Sequence, residues 1–449
     1  MVLEKDFKFI DLFSGIGGFH CAMDKFSEGE AQCILASEIN EEAKKTYEKH
    51  FGITVSGDIR QIKQEEILEY YDVACGGFPC QTFSKAGMQL GFGDPRGTLF
   101  KEITRLIKKE NITDQPKFLI LENVRNLITH DNGVTWNTIR SELKDANYNV
   151  IETPIVVGPK DFGIPQIRDR AIIVAVRNDI YSGPIEFEVP RRKSNTTSIY
   201  DILETELSDE DKAKYSISKH EEYVLNCWDE FINGIKFIPS VVKNDKNDET
   251  QKKSKNVKNT PQNKYVKKEF KGVIGFPIWA FEFGENYDLH DSKLNYQDWK
   301  IEFIEKNRLL YKYNKKFIDG WMHKWNDLKE LNHTEKKFEW QCGPNNKSIW
   351  DGIIQFRPSG IRVKQPTEAP TLVAMVHVPI IGKYKRYLTI KETAKIQSFP
   401  DTYDFSNESA FNAYKQLGNA VNVEVIYQVF KRFVGYIETK VAEEEIKNE

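Results

Sequence analysis

The feature that most constrains this chain is the rhythm of its first 180 residues, in which short apolar runs alternate with amphipathic stretches. FKFIDLF (7–13), CILAS (33–37), DVACGG (72–77) and FLILEN (118–123) read as buried strands, each followed by a helix-like segment such as EEAKKTYEKHF (41–51). Strands apolar on both faces need helices on both faces, which is the pattern of a doubly wound parallel α/β sheet. YNVIETPIVV (148–157) and RAIIVAVR (170–177), separated by the loop GPKDFGIPQIRD, add strands that finish this sheet.

After Asn178 the rhythm stops. Between about 190 and 350 a Lys/Asn-rich stretch gives way to the aromatic-rich WKIEFIEKNRLLYKYNKKFIDGWMHKW (299–325), whose Trp and Tyr residues at helical spacing read as core. This is a second domain. Lys236–Lys271 holds eleven Lys against four acids, a local excess of +7 in a chain whose net charge is −3, so any nucleic-acid contact must come from such a patch and not from the whole-chain balance. The centre of that stretch also reads as a solvated linker. Apolar positions 421, 425, 426, 429, 430 and 433 in YKQLGNAVNVEVIYQVFKRF give an amphipathic helix, and the acidic tail EEEIKNE reads as a frayed end. The expected division is 1–185, then a smaller domain with a long insertion over 186–410, then a helix over 411–449 that returns to the first domain.

No apolar run approaches the roughly 18 residues that would cross a bilayer. The N-terminus MVLEKDFKFI has acids and no cleavable apolar region, and the six cysteines form neither CxxC pairs nor a disulfide spacing. These features point to a soluble cytoplasmic protein with no membrane partner and no metal.

The chemistry gathers at the strand ends. DLFSGIGGFH (11–20) sets glycines after the first strand and at the mouth of a helix, where backbone amides approach a ligand closely. Dinucleotide loops want a further glycine where this chain has His20, which disfavours a nicotinamide dehydrogenase. Glu38, at the end of the second strand, is placed to accept from ribose hydroxyls, and Asp58 to accept from an adenine amino group. Together they describe a nucleoside pocket without a phosphate cradle, which suits S-adenosylmethionine. In GGFPCQTFSKAG (76–87), Cys80 follows the third strand and stands between Pro79 and a polar, glycine-punctuated loop, whereas Cys75 lies within the strand as a small buried residue. A Cys80 thiolate at the carboxyl edge could act as a nucleophile, and Glu122 of LENV reaches the same edge. A thiolate and a carboxyl group beside a methyl donor are what attack on a pyrimidine ring requires.

These residues fall in blocks, DLFSGIGGF, GGFPCQTFS, LENV, FGIPQIRDRAIIV, RPSGIRVKQPTEAPTLVA and QLGNAV, that resemble in order those of the DNA (cytosine-5-)methyltransferases of bacterial restriction-modification systems, over residues 1–180 and 356–435. The resemblance implies a Rossmann-like catalytic domain dependent on S-adenosylmethionine, with S-adenosylhomocysteine as product, and a target-recognition domain in the middle region. It implies cofactor contacts from Phe13, Gly15, Gly17, Gly18, Glu38, Ile39, Asp58, Ile59, Pro79, Leu99, Asn419 and Val421. Cys80 would add to carbon 6 of cytosine, a protonated Glu122 would face ring nitrogen 3, Arg170 would donate to the ring carbonyl, and Arg168 would support the loop. Gln81 and Ser84 would meet the double-stranded DNA from which the base is flipped, and the enzyme would act as a monomer. A related class modifies transfer RNA, and the large region 185–350 favours a duplex reader over that compact alternative. The intact Cys80, Glu122 and Arg170 argue against a catalytically dead DNA-binding relative.

Overall fold

The computed structural model describes residues 2–79, 99–192, 197–235, 272–275, 288–289, 295–343, 346–372 and 377–448. The chain forms two compact units, Met1–Glu204 with Pro370–Val376 and Thr389–Glu449, and Thr205–Ala369 with His377–Leu388.

The first unit is built on the strands β1 (Lys8–Leu12), β2 (Gln32–Ser37), β3 (Val55–Ser56), β4 (Val73–Gly77), β5 (Phe118–Val124), β6 (Tyr148–Val150), β7 (Ile155–Val157) and β8 (Arg170–Arg177). They lie in the order β3-β2-β1-β4-β5-β8-β6, with β7 also paired to β8. β1 has β2 on one side and β4 on the other, all parallel, so the chain order reverses there and a crevice opens at the carboxyl ends. Phe9 faces a core shared with Phe19 and Phe430. Ile10 and Leu12 face the opposite core, with Phe100, Ile103 and Trp136. Burial on both faces is why these strands are almost uniformly apolar.

Not all of this sheet is parallel. β8 runs antiparallel to β5, β6 and β7; only the short turn Pro159–Phe162 separates β7 from β8, too little for the crossover a parallel pair needs. The expected single strand 148–157 is two, parted at Ile151–Pro154, where a proline cannot donate to the ladder.

Helices α1 (Gly18–Ser27), α2 (Glu41–Phe51), α3 (Leu99–Ile107) and α4 (Val134–Asp145) follow the strands. α2 occupies the stretch expected from sequence, and its ends explain why: Asn40 Oδ1 accepts from the Ala43 amide at 2.9 Å, Glu41 and Glu42 fill the first turn, and Gly52 stops the helix at φ 67°.

The second unit holds α5 (Asp209–Tyr215), α6 (Lys219–Gly234), α7 (Asp298–Lys324) and the strands β9 (Gly272–Ile274), β10 (Phe338–Gln341), β11 (Ile353–Arg357), β12 (Gly360–Lys364), β13 (Ile380–Ile381) and β14 (Arg386–Tyr387). Its sheet runs β14-β13-β11-β12-β10-β9, antiparallel except for β10 with β12. Trp228 stacks on Phe338 at 5.0 Å, and the Trp321 indole nitrogen donates to the Cys227 carbonyl at 2.9 Å, so both tryptophans are fully sequestered without stranding a donor. The Lys-rich stretch 236–271 lies outside the described residues.

The chain rejoins the first unit through α8 (Ile390–Ile396), α9 (Ala410–Asn419) and α10 (Val423–Asn448). The units part at other positions than 185 and 410, because Phe399, Tyr403 and Phe405 belong to the first core and Tyr403 stacks on His50 at 3.6 Å. The expected single helix over 414–433 is interrupted after Asn419, and Asn422 caps α10 by accepting from the Val425 amide at 3.1 Å. The acidic tail is helical as far as Asn448, supported by strong helix formers and a Lys440–Glu443 pair.

Candidate active site

The carboxyl ends of β1 to β5 surround a cavity of about 380 Å³. Of the residues expected to hold a cofactor, Phe13, Gly15, Glu38, Ile39, Asp58, Ile59, Pro79, Leu99 and Asn419 line it. Glu122, Arg168 and Arg170 line the same space. Cys80, Gln81 and Ser84 lie outside the described residues, although Pro79, directly before Cys80, is in the wall.

The loop after β1 is shaped by backbone conformations that few residues adopt. Phe13, Gly15 and Gly17 have φ of 56°, 54° and 83°; for Phe13 this is strain held at the cavity wall. A Cβ on Gly15 would meet nothing within 4 Å, so its peptide is open toward the cavity. Gly17 and Gly18 do not line the cavity; they are required for packing. A Cβ on Gly17 would lie 2.2 Å from the Phe51 ring, and one on Gly18 would lie 2.7 Å from Val421. Val421 thus closes on the start of α1 and is likewise absent from the wall.

Glu38 is aimed by two backbone donors, the Gly15 amide at 3.0 Å and the Asn40 amide at 2.8 Å. Each carboxylate oxygen keeps a lone pair for a ligand hydroxyl. Asp58 is more heavily engaged: both its oxygens accept from Arg60 Nε, at 3.0 and 2.9 Å, and Arg60 Nη2 also pairs with it. Hydrogen bonding from the Arg60 side chain holds the Asp58 carboxyl below its ordinary range. Arg60 lines the cavity and was missed in the sequence, where only its place two residues after Asp58 hinted at it.

Glu122 and Arg170 meet because β5 and β8 are antiparallel. Glu122 pairs with Ile172 and Val124 with Arg170, so the two side chains stand diagonally on one face, and Arg170 Nε reaches Glu122 Oε1 at 2.7 Å. Both are mostly shielded, at 19% and 13% exposure, so this ion pair is a fixed feature of the cavity wall and no loose surface contact. Gly77 lies beside it: a Cβ there would be in ordinary contact with Glu122 Oε2, at 3.4 Å. Asn123, also missed, is buried and donates to the Phe78 carbonyl at 3.1 Å, which anchors the exit of β4 next to Pro79.

Arg168 acts differently. It is buried, and its guanidinium donates to the carbonyls of Leu372 at 2.8 Å, Gly418 at 3.2 Å and Ala420 at 2.8 Å. These are in part the unpaired carbonyls at the end of α9, so Arg168 joins the QIRDR loop to the returning segment and positions Asn419 at the cavity. Cys75 is fully buried, its thiol donating to the Ile10 carbonyl at 3.2 Å, and burial pushes its pKa far up. Among the described residues, no group of three or more His, Cys, Asp or Glu could hold a metal ion, and no helix is long and apolar enough to cross a membrane.

The sequence is similar along nearly all its length to the type II methyltransferases M.AluI of Cellulosimicrobium cellulans, 30% identical over 95% of this chain and 92% of that protein, and M.BanI of Aneurinibacillus aneurinilyticus, 30% identical over 94% and 95%. M.HhaI of Haemophilus parahaemolyticus is 37% identical over 44% of this chain and 56% of its own. In fold, the chain is similar to the Entamoeba histolytica methyltransferase EhMeth, with a TM-score of 0.50 at 18% identity over 97% of this chain and 99% of that one. The profile of the C-5 cytosine-specific DNA methylases matches residues 7–435. With the strand-edge cavity, the Glu122–Arg170 pair and a match over nearly the whole length, the chain belongs to the C-5 cytosine-specific DNA methylase family.

Proposed function

We propose that the protein methylates carbon 5 of a cytosine within a specific sequence of double-stranded DNA, with S-adenosylmethionine as donor, and that Cys80 forms a covalent adduct with the base. The observation that carries this reading is the Glu122–Arg170 pair, 2.7 Å apart in the wall of the cavity that Gly15 and Glu38 also line.

The residues present fit the cofactor. Glu38 offers acceptors to a ribose, Phe13, Ile59 and Leu99 offer apolar walls to an adenine, and Ile39, 71% exposed at the rim, is an apolar surface waiting to be covered. Asp58 accepts from the adenine amino group in exchange for part of its contact with Arg60. When bound, S-adenosylmethionine supplies an electrophilic methyl group.

Carbon 5 of cytosine is a poor nucleophile, and addition of the Cys80 thiolate to carbon 6 makes it a better one. Negative charge then collects on the ring, where Glu122, taking up a proton and giving up its ion pair with Arg170 as the base enters, presents that proton at nitrogen 3 and Arg170 donates to the carbonyl oxygen, as preorganised donors do at other developing anions. A stacked base cannot reach this cavity, so it leaves the duplex at a cost of a few kcal/mol, with Gln81 and Ser84 facing the gap. The second unit, with the Lys-rich 236–271, contacts phosphates and reads bases. The enzyme works as a monomer in the cytoplasm and protects DNA from a restriction endonuclease of the same specificity.

Duplex DNA with 5-fluorocytosine at the target tests the chemistry. Fluorine prevents loss of a proton from carbon 5, so elimination fails and a complex that survives denaturing electrophoresis accumulates, provided S-adenosylmethionine is present. Cys80→Ser should trap none. An adduct formed by that variant would refute the nucleophile, and trapping at every cytosine would refute a sequence-reading second unit.

A further inference from the structure

Asp11 has no part in the chemistry above, yet it lies directly beneath the cavity loop. It shares a face of β1 with Phe9 and points into an apolar core, where it is completely buried. Its Oδ2 stands 3.4 Å from the Tyr47 hydroxyl, and its Oδ1 has no hydrogen-bond partner. No ion pair to it exists among the described residues. α1 presents His20 and Cys21, α2 presents Tyr47, β2 presents Cys33 and is followed by Glu38, β4 presents Cys75, and Tyr403 follows α8. None of these is a cation: burial holds the His20 imidazole down to about 3, so it is neutral. Among the described residues, a carboxylate here would have only the Tyr47 hydroxyl and the His20 backbone amide to support it, and burial outweighs both, pushing the Asp11 pKa up to about 8.

We propose that Asp11 is a positioning residue that works as an uncharged carboxylic acid, its proton heading a hydrogen-bond chain through Tyr47 to His20 that holds the glycine loop in cofactor-binding shape. The proposal rests on the cofactor reading above.

A phenol carries one proton, and the Tyr47 hydroxyl has three neighbours, Asp11, His20 and the Cys33 thiol at 3.5 Å; with its proton on His20, its oxygen accepts from Asp11. When Asp11 donates to the Tyr47 oxygen, Tyr47 donates to His20 Nδ1, 2.7 Å away, and the imidazole proton is left on Nε2, which faces Asp24 at 3.6 Å. When Asp11 is ionised, Tyr47 must turn its proton back to the carboxylate, His20 must change tautomer, and Nε2 loses the proton that faces Asp24. The same side chains form the floor of the loop. A Cβ on Gly17 would lie 3.1 Å from the Tyr47 ring, and the Phe51 ring that excludes it is stacked on His20 at 3.7 Å. The Tyr403 hydroxyl, also close to Asp11, donates to the Ile16 carbonyl. Ionising Asp11 thus rearranges the support of Phe13–Gly17 and adds a buried negative charge near Glu38.

Calorimetry of S-adenosylhomocysteine binding to the full-length protein from pH 6.5 to 9 tests this. Asp11→Asn, the neutral isostere, should bind within about threefold of wild type at pH 7. Wild type should then weaken relative to it, to about tenfold at pH 9, since apparent affinity scales with the competent fraction. Any titration of the ligand's own amine cancels in the ratio of the two proteins. Tyr47→Phe, which cuts the chain at its middle, should bind several-fold more weakly at pH 7 with its unfolding transition retained. Parallel pH profiles for wild type and Asp11→Asn would overturn the proposal. Should Asp11→Asn fail to fold, undiminished affinity in Tyr47→Phe would overturn it equally. Absence of binding by wild type at every pH would instead overturn the cofactor reading.

Discussion

The two units use their large and polar side chains in opposite ways. In the first, the residues of interest stand at the ends of strands whose interiors are solid core, so Glu38, Glu122 and Arg170 reach a cavity while Phe9, Ile120 and Val174 hold the sheet. In the second, the conspicuous residues are the core: Trp228, Phe231, Trp321 and Phe338 are all buried against one another. A reacting group needs one residue type at one place, whereas a packing position accepts many residues of similar volume. Chemistry is therefore easier to read from a sequence than recognition.

That contrast can be broken experimentally, and the largest effect should come from the first unit. Cys80→Ser should lower turnover by about 10³-fold or more, since on the proposed mechanism it removes the nucleophile, while S-adenosylhomocysteine affinity stays within about threefold. Parallel assays of methyl incorporation and cofactor binding separate the two effects, and retention of about one percent of activity would remove Cys80 from its role. In the second unit the large effect should be on stability. Trp321→Ala should cost about 3–5 kcal/mol in denaturant unfolding, whereas Trp299→Ala, at a position 65% exposed, should stay within about 0.5 kcal/mol. A comparable cost at both positions would mean that α7 is packed on all sides.

Arg170→Ala should reduce turnover by about 10²–10³-fold with little change in cofactor affinity, the range found for lost transition-state donors. A rise in cofactor Kd of the same size would assign Arg170 to the adenosine end of the cavity. Glu38→Ala should weaken S-adenosylhomocysteine by about 1–3 kcal/mol, the cost of unpaired polar groups, and leave DNA affinity nearly unchanged.

The smallest effect concerns pH. Burial holds His20 down to about 3, against 6.5 for an exposed imidazole, so the unfolded chain takes up a proton before the folded one does. Its contribution to stability is complete above pH 6.5 and is lost progressively as pH falls toward 3. Urea midpoints at pH 7 and pH 5 should converge in His20→Gln relative to wild type. An equal drop in both proteins would assign the acid sensitivity to other groups.

Much of the site was legible because its residues sit beside strong local signals. Glu38 follows the apolar run CILAS, and Glu122 stands one residue before the end of FLILEN. Arg60 and Asn123 were not legible, because their roles depend on what they touch. Arg60 matters through Asp58, and Asn123 through the Phe78 carbonyl, 45 residues away in the chain. Arg168 stands in the legible QIRDR loop, but its three carbonyl partners belong to two segments more than 200 residues later. The break after Asn419 has one local part, the Asn422 cap three residues before Val425, and one distant part, the Arg168 guanidinium that holds the Gly418 and Ala420 carbonyls.

By itself, the sequence determined the strand and helix periods of the first unit, the strand ends at which polar residues gather, and the position of α2 between its caps, because these follow from side-chain periodicity and from backbone hydrogen bonding within a few residues. Tertiary structure alone decided that β8 runs antiparallel, that residues 389–410 join the first core, and that Glu122 meets Arg170. It also decided that Asp11, an ordinary acid in DLFSG, is enclosed without a cation. Each of these depends on which distant segments exclude water from the same place, and local propensity carries no record of that.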